Sequence, residues 1–420
     1  MAIRRKKGIS GSAAATASHG MARWGGLFFM LLGAGSMTAL LCLAPQFSKL
    51  SHPELPAADR APSLQPWGNL ETTMMVLDRP TDYFEQDLPP KTEIQWHFEG
   101  FTSDMLRNFI LQTELDAGLR QTLLDTNRWQ VQSDGVLVTP PVETVLSLSR
   151  PAREHIYNEL AKSPRNKPQR YPFMFRPDGF DEWFAGAELP PEKIALARRL
   201  AYFRNGWLCF SDSQAFRLTS STNEAVALMK VLSRVPAVLA RLHVDDKSDI
   251  DALVRYWGRG GRERSLRTLL ESMARVPGGT SLELTYLLPP VPQQLLYTYP
   301  NPALARMNQP LPDCAWSSMN FFNYPPDMIF LDSSNVLATL ERDYRKVPRP
   351  SAFGDLIFVY EPGPRPEPVH MCVYIADDIV FTKNGSRLWQ PWTLMRLADV
   401  MAQYTMDKRL EMAFYRKKGF

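Results

Sequence analysis

Three short blocks towards the C-terminal end hold the residue types that thiol chemistry needs. Asp313-Cys314 opens an apolar run, Gly354-Asp355-Leu356 opens a strand-like stretch ending at Tyr360, and His370 opens a second, His370-Met371-Cys372-Val373-Tyr374-Ile375. A cysteine is a nucleophile only as its thiolate, and a helix N-terminus with a nearby imidazole lowers the thiol pKa. Pro312-Asp313 sets a turn and an N-cap, which places Cys314 in the first turn of a helix, where free backbone N–H groups and the helix dipole favour an anion. Cys314 is therefore the candidate nucleophile and His370 the candidate general base. Cys372 shares the strand face of His370; packing is the favoured reading of it, with a disulfide to Cys314 as the alternative.

The order of these blocks resembles the NlpC-type cell-wall cysteine peptidases, bacterial enzymes with a compact papain-like fold. The likeness covers about the last quarter of the chain. It implies a helix packed on an antiparallel sheet, a Cys314/His370 hydrolase of amide bonds in peptidoglycan stem peptides, and a third polar group twelve residues beyond the histidine. Thr382 stands at that place. Asn384, two residues on and on the same face if the strand continues, is favoured, because an amide accepts a ring N–H well; Thr382 is the alternate, and Lys383 points the other way. The sequence departs from the family after the cysteine, where Ala315-Trp316 replaces the usual Ser-Gly pair. A thiol acyltransferase or thioesterase would use the same dyad, and a catalytically degenerate module would serve as a binding or scaffold protein of the cell envelope.

These blocks need a scaffold, and 420 residues with 45% apolar and 22% charged content have room for two or three domains. The net charge of +4 sits in residues 1–24, which hold Arg4, Arg5, Lys6, Lys7 and Arg23 and no acid, so no basic face for nucleic acid is suggested. Residues 25–44 are uncharged and long enough to span a bilayer core. With the basic head in front, they predict a single-pass inner-membrane protein, its N-terminus cytoplasmic and the rest extracytoplasmic. An uncleaved anchor is favoured over a cleaved signal peptide because Pro45 follows the best cleavage position.

The expected organisation is a basic head (1–24), a transmembrane helix (25–44), a Pro-rich linker (45–92), a mixed α/β middle domain (93–290) and the cysteine-hydrolase module (291–420), an α+β chain overall. In the linker only residues 72–77 hint at order. In the middle, strands are expected at 93–98, 129–132, 135–139, 207–210 and 281–288. Helices are expected at 103–115, 142–161, 191–204, 222–242 and 249–274, the last broken near Gly258.

Other chemistries find weaker patterns. Gly258-Arg259-Gly260-Gly261-Arg262 lacks the Lys-Ser/Thr of a phosphate loop and reads as a helix break. Asp178, Asp181, Glu182 and Glu188 cluster as a glycosidase pair would, but read as a solvated loop. The six histidines are scattered, with no HExxH, and His97 reads as structural. No cofactor and no metal site is expected, and the few cysteines do not make a disulfide scaffold.

Overall fold

The computed structural model describes residues 65–80, 88, 91–306, 309–404 and 409–420. The chain is mixed α/β, with four antiparallel sheets among the described residues. Strand β1 (Asn69–Leu77) extends the short ordered piece expected inside the linker to nine residues.

Strands β2 (Trp96–Glu99), β3 (Trp129–Gln132) and β4 (Gly135–Val138) form a sheet in the order β2-β4-β3. The helix Ser103–Gln112 starts on Thr102, whose hydroxyl accepts the Met105 N–H. The single helix expected over 142–161 is two, Val142–Ser147 and Arg150–Leu160. Pro151 accounts for the break: it has no N–H to donate, and it fits only in a first turn, here capped by Ser149.

Strands β5 (Phe173–Phe175), β6 (Tyr202–Arg204) and β7 (Trp207–Phe210) make the next sheet. The helix expected to reach residue 204 stops at Leu200, because Asn205 and Gly206, both at positive φ, turn a hairpin between β6 and β7. The helix Thr222–Leu232 begins on a Ser221/Glu224 capping box. Its expected continuation to 242 is instead β8 (Val235–Val244), in which Ala237, Val238, Ala240, Leu242 and Val244 are buried. β8 is the middle strand of a sheet, paired along β1 and with β9 (Thr280–Glu283), so burial of its Val and Leu residues overrides their helical spacing. Pro236 is tolerated because β9 pairs only with residues 241–244.

The glycine-rich segment is a helix break, as expected. Ile250–Trp257 ends at Gly258, Glu263–Ala274 follows, and the Arg262 guanidinium ties the corner to the carbonyls of Leu287 and Trp257.

In the C-terminal part the helix Cys314–Met319 packs on a six-stranded sheet built from β10 (Tyr344–Val347), β11 (Leu356–Glu361), β12 (Glu367–Ala376), β13 (Ile379–Lys383), β14 (Trp392–Arg396) and β15 (Glu411–Lys417). The order is β10-β15-β11-β12-β13-β14, so the last strand inserts beside β11. A large core crosses the boundary expected at 290/291: Leu242, Trp257 and Leu270 pack in one cluster with Trp316, Met319, Val373 and Phe381. The β8 sheet and the 250–274 helices thus belong physically with the C-terminal sheet. Two other cores hold the rest of the middle region.

The membrane reading is corrected. Among the described residues no helix is long and apolar enough to cross a membrane. The 12-residue helix Glu263–Ala274 rises only about 18 Å against a hydrocarbon core of about 30 Å. The predicted span at 25–44 lies outside the described residues, and no described helix supports the transmembrane, single-pass inner-membrane assignment.

Candidate active site

Asp313 caps the Cys314 helix, its carboxylate accepting the Trp316 N–H at 2.8 Å. The helix is pinned from the far side as well: the Trp392 indole N–H donates to Ser317 Oγ at 2.7 Å, and Ser317 Oγ donates to the Asp313 carbonyl. Trp316 is buried among the core side chains, so it does not fill a cleft at Cys314.

Cys314 keeps part of its surface exposed, but close packing around the sulfur sets its titration. Burial pushes the thiol pKa up to about 12, and the neighbouring Asp313 charge adds to it. The backbone N–H groups of Met371 and Ala315 and the Lys383 cation work in the opposite direction without overcoming it. The capping carboxylate that starts the helix therefore opposes the thiolate that the helix end favours. No disulfide engages Cys314 or Cys372.

His370 does not open its strand; it sits in the middle of β12, next to Met371, whose backbone N–H favours the Cys314 thiolate. Met371, Val373 and Phe381 pack under the Cys314 helix, whereas Cys372, Tyr374 and Val380 pack on the other face, with the helix Leu397–Ala402. The His370 ring lies on that second face, 3% exposed. Its Nε2 is 2.8 Å from Thr382 Oγ1, and its Nδ1 is 3.1 Å from the Tyr404 hydroxyl.

The network fixes the tautomer. Thr382 Oγ1 donates its one proton to Asn384 Oδ1 at 3.1 Å, and Asn384 Nδ2 is engaged by the Met395 sulfur. Thr382 therefore accepts from His370 Nε2–H, which leaves Nδ1 as the basic nitrogen accepting from Tyr404. Burial pulls the His370 pKa down to about 3, so the ring is neutral.

Thr382, twelve residues beyond the histidine, is the group that orients the ring; the favoured Asn384 acts one bond further out, through Thr382. The structure brings His370, Thr382 and Asn384 into one hydrogen-bonded chain, in which the Cys314 thiol takes no part. Both ring nitrogens are bonded to groups other than the thiol. Lys383 does point the other way: it is fully buried, donating to the carbonyls of Gly385 at 2.6 Å and Arg387 at 3.2 Å, and burial pulls its pKa down to about 8.

Tyr404 was missed by sequence reasoning. It lies 34 residues beyond His370 with no motif around it, and only the fold of the Leu397–Ala402 helix brings it there.

The other blocks resolve into structure. Asp355 is completely buried; it accepts the N–H groups of Ser351 and Ala352 and a two-pronged bond from Arg416, both prongs at 2.7 Å. His97 meets Ser163 Oγ at 2.8 Å through Nδ1 and approaches Asp134 to 3.3 Å through Nε2. The composition is that of a serine hydrolase triad. However, Ser163 is 1% exposed, and Asn166 clamps the same strand through the His97 backbone, so the group ties β2 to the segment after Arg150–Leu160. Asp181 pairs with Arg198 and Glu188 with Lys230, as a solvated loop would.

Comparison of the chain with protein-family models, curated proteins and solved structures gives no match, so the reading of the site rests on its own geometry.

Proposed function

We propose that the C-terminal module is a thiol-dependent amide hydrolase, held closed by Tyr404 in this conformation. The observation that carries the reading is the orientation of His370. Thr382 holds Nε2–H, the basic Nδ1 is directed away from Thr382, and the backbone of the next residue of the strand pulls the Cys314 pKa down. In the active conformation the Tyr404 hydroxyl leaves Nδ1, and the ring reorients until Nδ1 meets the thiol.

Nδ1 then takes the thiol proton, and the thiolate attacks the amide carbonyl to form a C–S bond. The N–H of Cys314 at the helix start supports the oxyanion. Collapse breaks the C–N bond, the imidazolium gives its proton to the leaving amine, and water, deprotonated by Nδ1, releases the acid from the thioester. The likeness to NlpC-type peptidases makes a peptidoglycan stem peptide the proposed substrate. An acyltransferase or thioesterase would share the first step.

A second reading has its own support: occupancy of both ring nitrogens and a thiol pKa near 12 also suit a catalytically silent module. The test is release of free amine from a peptidoglycan stem tetrapeptide by the full chain, with Cys314→Ala and His370→Ala alongside. Turnover lost in both variants supports the hydrolase. No turnover in the wild type or in Tyr404→Ala supports the silent module.

A further inference from the structure

A cleft of about 270 Å³ lies between the β5 sheet and the C-terminal sheet's covering helix. Two of its walls are sheet edges: among the described residues β5 is bonded only to β7 and β1 only to β8, and residues 173–176 and 74–76 line the space. The third wall is the helix Leu397–Ala402, which contributes Asp399, Ala402 and the next residue, Gln403. Trp183, Trp207, Met74 and Met174 give the cleft apolar surface.

Its charge is unevenly committed. Arg234 is spent on Asp78 and on the carbonyls of Trp183 and Ala185. Arg176 is 45% exposed and touches Asp399 through one terminal nitrogen only, at 3.1 and 3.5 Å, leaving most of its five N–H donors for a ligand. The Trp389 indole beside it has the Arg79 guanidinium 4.8 Å and the Arg387 guanidinium 5.2 Å from its ring centroid. The site offers apolar surface, the remaining Arg176 donors beside the carboxylates of Asp399 and Glu182, and an edge strand.

We propose that this cleft binds the C-terminal end of an extended peptide. An apolar or aromatic side chain rests on the indoles, the peptide main chain adds to the β5 edge, and the terminal carboxylate binds Arg176. Strand addition gives a short peptide affinity through main-chain hydrogen bonds, and side-chain pockets give it selectivity. The volume falls just below the roughly 300–1,000 Å³ of small-ligand clefts, which suits one or two residues. A carboxylate suits Arg176 because the planar guanidinium binds it with two parallel hydrogen bonds. This proposal does not depend on the thiol reading, since it concerns binding and not turnover.

The test is calorimetric titration of the full chain with N-acetyl-Leu-Phe and N-acetyl-Phe-Leu as free acids, with their C-terminal amides, and with N-acetylglucosamine. The free acids are expected to bind at least tenfold tighter than the amides. Arg176→Gln, an exposed position, should abolish that preference while leaving the melting temperature within 2 °C or so. Ala402→Trp, which fills the cleft, should remove binding of both forms. Free tryptophan in place of the peptides separates a small aromatic acid from a peptide end: equal affinity would discard the strand-addition part. The proposal is overturned by equal binding of acids and amides, by an Arg176→Gln variant that keeps the preference, by no binding at millimolar peptide, or by binding of the sugar alone.

Discussion

His370 and Tyr404 occupy one another: their rings stack with centroids 4.8 Å apart, and the tyrosine hydroxyl lies 3.1 Å from Nδ1. Because Thr382 holds Nε2–H, this hydroxyl sits on the only nitrogen able to take a proton from a thiol. Removing it is therefore the most direct way to uncover catalysis. Tyr404→Phe keeps the stack and frees Nδ1; Tyr404→Ala opens the face as well. Iodoacetamide labelling of Cys314 at pH 7.5, mapped by peptide mass, should rise about tenfold or more in Tyr404→Ala, less in Tyr404→Phe, and return to wild-type rate when His370→Gln is added. Equal labelling in wild type and Tyr404→Ala would sink the closed-site reading.

Thr382 should matter more than Asn384. Thr382→Val leaves a buried ring N–H without an acceptor, a loss of about 1–3 kcal/mol in urea unfolding. Thr382→Ser keeps the hydroxyl and should recover most of that. Asn384→Ala removes only the acceptor behind Thr382 and should cost about half as much. A larger loss for Asn384→Ala than for Thr382→Val would mean that the ring is oriented from elsewhere.

The legible part of this site was local. Cys314 behind an Asp cap and the β11–β13 strands follow from local sequence, the twelve-residue step to Thr382 comes from the family resemblance, and the helix and strands expected there are present. What escaped depends on contacts distant in sequence. Tyr404 reaches His370 through a helix with no polar signature, and β8 looked helical until β1, more than 150 residues earlier, covered it. The electrostatics were also out of reach. A helix N-terminus argues for a thiolate, and only the packing density around the sulfur and the Asp313 charge reverse the sign.

The burial of His370 makes a pH prediction. Its folded pKa is lowered from 6.5 to about 3, so between those values the unfolded chain binds the proton and the folded one does not. This contribution to stability is complete above pH 6.5 and is lost as pH falls towards 3, at no more than about 1.4 kcal/mol per pH unit. His370→Gln should flatten that part of the curve relative to wild type while leaving other acid transitions in place. Unchanged steepness between pH 6 and 4 would show that the ring becomes charged within the fold.

Gly354 and Asp355 should behave as structure and not as chemistry. Gly354 has φ +88, and a Cβ there would come within 2.3 Å of the Phe322 ring, so Gly354→Ala should cost at least ~2 kcal/mol. Asp355→Asn halves the pull on Arg416 and loses an acceptor for the Ser351–Ala352 turn; the buried pair makes a loss of about 3 kcal/mol reasonable. Arg416→Met in the Asp355→Asn background should cost much less than Arg416→Met alone, because the carboxylate it would strand is already gone. A catalytic carboxylate would give the opposite result, with stability retained and Cys314 labelling or turnover lost. Thermal melts of the four-member cycle, read beside labelling in the Tyr404→Ala background, separate the two: a stable but unreactive Asp355→Asn would put Asp355 in the reaction, whereas an unstable chain whose remaining folded fraction labels normally would leave it holding β11 to β15.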